Sequence, residues 1–65
     1  MSNSPFTQIS EIAETEGLYA AEAFADSHGW DGQIVRAHPG HAVLQFTTNN
    51  GKTWELLPDG RISRI

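Results

Sequence analysis

A chain of 65 residues holds one domain and excludes a second, because at this size even a single compact unit buries only about 60% of its unfolded surface. With 38% hydrophobic and 18% charged residues and no cysteine, the composition excludes a disordered tail, a disulfide framework and a thiolate metal site, leaving a folded domain with a thin core. The net charge of -4 is divided unevenly, with six carboxylates and no Lys or Arg in residues 1–32, then four cations and two carboxylates in residues 33–65, which speaks against a basic nucleic-acid binder and predicts an acidic side and a mildly basic side.

In chain order, residues 1–4 read as a flexible lead and residues 5–28 as helical. Ser4 followed by Pro5 predicts an N-cap with proline at the first helical position, where its missing donor costs nothing. Phe6, Ile9, Ile12 and Ala13 recur at helical spacing, and Ala20, Ala23 and Phe24 continue the pattern toward Asp26. Glu16 falls on the apolar stripe and Gly17 follows it, so one bent helix and two short ones are both open there. Gly29 stands where a left-handed cap is wanted, Trp30 folds the chain back onto the helix, and Asp31 and Gly32 are expected to make the turn into a strand. No charged leader precedes an apolar run and no stretch reaches the length of a membrane span, so the expected location is cytoplasmic, away from membranes.

Residues 33–65 predict an antiparallel β-meander, with short β-rich runs at 34–37, 42–48, 52–57 and 61–65 separated by Pro39-Gly40, Asn49-Asn50-Gly51 and Pro58-Asp59-Gly60. The last two turns share a three-residue form ending in glycine, which suits a type I turn followed by a G1 bulge; in the first, Pro39 excludes the primed two-residue turns and calls for a slightly longer loop through His38 and His41. Alternation puts Ala42, Leu44, Phe46, Trp54 and Leu56 on the side that the helical part covers, and Gln45, Thr47, Thr53 and Glu55 on a wet side. The predicted fold class is therefore α+β, an N-terminal helix, broken or continuous at Gly17, on one face of a four-stranded meander.

The run Thr47-Thr48-Asn49-Asn50-Gly51-Lys52-Thr53-Trp54 resembles the Asp-box hairpin of the sialidase propellers, Ser-x-Asp-x-Gly-x-Thr-Trp, with Thr and Asn in place of its Ser and Asp. In that family the box is a structural turn away from the catalytic residues and recurs in every blade; here it occurs once, so the resemblance implies a β-hairpin and not a glycosidase.

His28, His38 and His41 are the candidate metal ligands, yet no Cys accompanies them and the nearest carboxylate in sequence is Asp31, so no metal or cofactor is expected. Ser10, Ser27 and Ser63 read as helix or strand surface, no phosphate-cradling loop is present, and a pocket of about 300 Å³ or more is hard to enclose at this size, so no enzymatic activity is expected. What remains is surface. The expected function is a protein-protein interaction module, binding a foreign protein or itself, through an acidic helix side (Glu11, Glu14, Glu22, Asp26), Trp30 as anchor, and Arg36, Arg61 and Arg64 on the sheet and its edge. Direct nucleic-acid binding is not expected from so few cations. In size and layout the chain also resembles small acidic proteins of phage and mobile elements, including some anti-CRISPR inhibitors, which implies an acidic face that blocks a basic nucleic-acid-binding surface. A weak histidine-based metal binder is the third reading.

Overall fold

The computed structural model describes residues 4–38 and 41–65. Residues 1–3, 39 and 40 lie outside the described residues, as do the side chains of Ala37 and His38. The longer loop expected through His38 and His41 is not formed at those two residues, which are strand residues paired with each other, so that only Pro39 and Gly40 separate the strands.

Helix α1 spans Pro5–Glu16. Ser4 caps it, its Oγ accepting the Thr7 N–H at 3.2 Å, and Pro5 occupies the first turn, as the sequence predicts. Ile9 and Ala13 are buried, with Phe6 and Ile12 packed beside them. Gly17 then settles the continuity of the helical part, which is two helices. Its backbone sits at φ 100°, ψ 171°, a region that in practice only glycine occupies. From there its N–H reaches the Ile12 and Ala13 carbonyls at 3.1 and 3.2 Å, closing α1, while its carbonyl accepts the Ala21 N–H and opens α2, Leu18–Ser27.

Helix α2 buries Leu18, Ala21 and Ala25. It ends in a Schellman motif: Trp30 N–H donates to the Ala25 carbonyl at 2.9 Å and Gly29 N–H to the Asp26 carbonyl at 3.0 Å. Trp30 and Ala25, the two residues this motif brings together, both lie in the core. The cap completes the chain reversal by residue 30. Asp31 and Gly32 are consequently not a turn, as the sequence suggests, but the first residues of β1, paired with Thr47 and Phe46.

Four antiparallel strands, β1 (Asp31–His38), β2 (His41–Thr47), β3 (Thr53–Leu56) and β4 (Ile62–Arg64), form one meander in the order β1-β2-β3-β4. The two later turns are built alike. Thr48 N–H donates to the Lys52 carbonyl and Gly51 N–H to the Thr48 carbonyl, both at 2.9 Å; Leu57 and Gly60 repeat this with Arg61 and Leu57 at 2.9 and 3.0 Å. Gly51 and Gly60 supply the positive φ of the bulge, at 83° and 94°. In each turn a side chain reinforces the backbone, the Asn50 amide oxygen accepting from Lys52 N–H and the Asp59 carboxylate from Arg61 N–H.

The covered sheet face carries Leu44, Phe46 and Leu56, all fully buried, with Ile34, Ala42, Trp54 and Ile62 around them. Helix α2 lies against β1 and β2. Helix α1 packs on α2 and reaches the sheet through Phe6, whose ring is 6.1 Å from Phe46 and 5.0 Å from Trp54. Its second tie is the Ser10 hydroxyl, which donates to the Gly60 carbonyl in the β3–β4 turn.

The opposite face is polar only in part. Val43 points away from Leu44 by strand alternation and yet is 0% exposed. Pairing explains it: register sets Val43 beside Val35 on β1, and the Leu44–Leu56 pair puts Leu57 on its other side. The face expected to be wet is polar but only half-exposed at Gln45, Thr47, Thr53 and Glu55, and is closed at the aliphatic end.

Candidate interaction surfaces

Trp30 is not available as a partner anchor. It is 8% exposed, nearly parallel to Phe46 at 5.3 Å between ring centroids, and stacked on Phe6 at 5.6 Å. Offset stacks of this kind add about 0.5–1.5 kcal/mol beyond area burial, so the core holds this ring.

The aromatic residue that does reach solvent is Tyr19, 80% exposed. It is the second residue of α2, and Glu22, Ala23 and Asp26 follow it at the spacing of one helix face. The stripe expected at Ala20, Ala23 and Phe24 is not the buried one: Leu18, Ala21 and Ala25 turn inward, Ala20 and Phe24 are half-buried, and Ala23 is exposed, which leaves Tyr19 on the outer side of the helix. Asp26 is exposed and Glu22 half-buried; on α1, Glu11, Glu14 and Glu16 are exposed. No Lys or Arg occurs among the described residues before Arg36. The four carboxylates expected on one acidic side are thus divided between two helices. Glu14 also has a local neighbour: its Oε2 lies 3.0 Å from where a side chain on Gly60 would begin.

The three arginines are not gathered into one patch. Arg36 lies on β1 and Arg64 on β4, the two opposite edges of the sheet, while Arg61 immediately precedes β4. Arg61 is paired within its own turn, Nε to the Asp59 carboxylate at 2.8 Å. The backbone N–H of Arg61, followed by its guanidinium, holds the Asp59 carboxyl below its usual value of 3.8. The contribution of this turn is accordingly present above the unfolded-state pKa and is lost as pH falls through the lower folded one. In a carboxyl NMR titration Asp59 is expected to show a midpoint below 3.8; Arg61→Ala should raise it only part of the way, because the main-chain donor remains. A midpoint at or above the ordinary value in the wild type would refute the pairing.

Arg64 lies over the Trp54 ring, 5.6 Å from its centroid. Trp54 is also one wall of an open groove of about 340 Å³, whose other lining residues are Phe6, Trp30, Thr48, Asn49, Asn50 and Lys52. Among the described residues that line it there is no carboxylate. The indole Nε1–H of Trp54 is buried and finds no acceptor among the described residues.

Several hydroxyl and imidazole groups are engaged within the fold. Ser10 donates to Gly60 and Ser27 to the Phe24 carbonyl at 2.7 Å, so Ser10 is a tertiary tie and not the plain helix surface its sequence context suggests. His28 stacks on Phe24 at 4.2 Å with Nδ1 3.2 Å from the Phe24 carbonyl. His41 borders the depression beside Val43 and pairs with His38 through the main chain. No group of three or more potential metal ligands occurs among the described residues, and no helix there is long and apolar enough to cross a membrane. Compared with protein-family models, curated proteins and solved structures, the chain matches none.

Proposed function

We propose that the protein is a small interaction module that presents α2 and the adjoining part of α1 to a basic surface on a partner protein, with Tyr19 as the anchor. One observation carries this reading: Tyr19 is 80% exposed on the same helix face as the carboxylates of Glu22 and Asp26. Tyrosine is among the residues that dominate binding energy at interfaces, and Glu22 and Asp26 on its own helix face favour a cationic counterpart. A basic nucleic-acid-binding groove of another protein is one surface of that chemistry, and an added oligonucleotide would then compete for it.

The test uses a photo-reactive side chain at Ala23, exposed on the same face. Cross-linking in cells should give an adduct that Tyr19→Ala reduces about thirtyfold, the effect of a residue worth roughly 2 kcal/mol. Glu22→Lys with Asp26→Lys should do likewise, and Arg36→Glu should not. Equal adduct yields from all variants would sink the proposal.

A further inference from the structure

We propose that the groove between Phe6, Trp54 and the 48–52 turn receives the Tyr19 face of a second copy of this chain, so that the protein associates head to tail. This rests on the reading of Tyr19 as an anchor and names its partner. The two surfaces complement each other in charge and in kind. One offers an exposed phenol ring beside Glu22 and Asp26. The other offers aromatic walls, the amides of Asn49 and Asn50, the ammonium of Lys52 and, on Trp54, the guanidinium of Arg64. A ring placed against Trp54 and Phe6 loses its exposed area and gains offset stacking, while its carboxylates come within reach of two cations.

Placement also favours two chains over one. Tyr19 is the second residue of α2, whereas Trp30, in the groove, comes three residues after the end of that helix. Ten residues of α-helix extend about 15 Å, so the two halves of the contact stand at opposite ends of one rigid rod and cannot meet within a chain. Two different patches in contact make a heterologous interface, which closes into a pair only if each copy serves the other, and otherwise grows.

The experiment is sedimentation equilibrium of the purified full chain over a wide range of concentration, at low and high salt. Mass is expected to rise with concentration and to fall back with salt. Tyr19→Ala and Lys52→Glu, both at exposed positions, should each weaken association about tenfold or more with unchanged circular dichroism. Each variant retains one half of the contact, so an equimolar mixture should form a 1:1 pair where either alone is monomeric. A monomer at every concentration, association that survives both changes, or a mixture that stays monomeric would each overturn the proposal. A monomer that still gives a Tyr19-dependent adduct with a foreign protein through Ala23 would reject self-association and leave the anchor reading standing; Tyr19→Ala without effect in either assay would reject both.

Discussion

Phe46→Ala is expected to leave the chain largely unfolded at 25 °C. Phe46 is 0% exposed, its ring lies 12° from parallel with Trp30, and it pairs across the sheet with Gly32 on one side and Trp54 on the other. Truncating a buried phenylalanine costs about 3–5 kcal/mol, from lost transfer energy and the cavity left behind. A domain of 65 residues has a total stability of roughly 3–10 kcal/mol, so this one change removes a large part of it or all. Far-UV circular dichroism and urea titration would show a low or absent transition midpoint; a cooperative transition near the wild-type midpoint would mean that the core is not organised around this ring. Tyr19→Ala is the matched control. It deletes an aromatic side chain that faces solvent within one chain, and at concentrations where the chain is monomeric stability should change by no more than about 0.5 kcal/mol.

Gly60→Ala is expected to destabilise more than Gly51→Ala, although both residues hold the same place in the same kind of turn. Both have positive φ, 83° at Gly51 and 94° at Gly60, so an added Cβ carries a backbone cost of about 1–2 kcal/mol at either site. The surroundings differ. At Gly51 a Cβ would meet nothing within 4 Å, whereas at Gly60 it would lie 3.1 Å from Ser10 Oγ and 3.3 Å from the Ser10 carbonyl. That second contact is main chain of α1, which has to give by a few tenths of an ångström, so Gly60→Ala should cost about 1 kcal/mol more than Gly51→Ala. Paired thermal or urea unfolding measures the difference. Equal losses would show that α1 does not press on this turn.

The parts of the fold that were legible in the sequence are those set by local chemistry. Ser4-Pro5, the bulged turns at Gly51 and Gly60 and the strand alternation from Ala42 to Leu56 each follow from a short run of residues. Gly17 was visible as a disturbance, but whether a glycine bends a helix or divides it depends on a backbone conformation that neighbouring residue types do not dictate. Register was the main loss. Val35, Val43 and Leu57 form an aliphatic patch only because pairing aligns them across three chain segments, and a strand read singly does not reveal its neighbours. The candidate surfaces fared less well for a related reason. Trp30 and Tyr19 are both amphipathic aromatics near the ends of one helix, and their opposite fates have separate tertiary causes: the capping bonds at Gly29 and Trp30 fold the one into the core, and the inward turn of Leu18, Ala21 and Ala25 leaves the other outside.

The bond from Ser10 to Gly60 spans 50 positions of the chain, whereas every strand pair joins nearest neighbours in the meander. Local contacts form early in the folding of small domains because little loop-closure entropy opposes them, and long-range ones must wait. The helical pair and the meander can therefore each assemble from adjacent segments before α1 closes over the last turn. A contact made after the barrier holds the folded chain together without helping it to form. Ser10→Ala should in that case leave the refolding rate nearly unchanged and hasten unfolding, making this serine a determinant of how long the native state persists once reached.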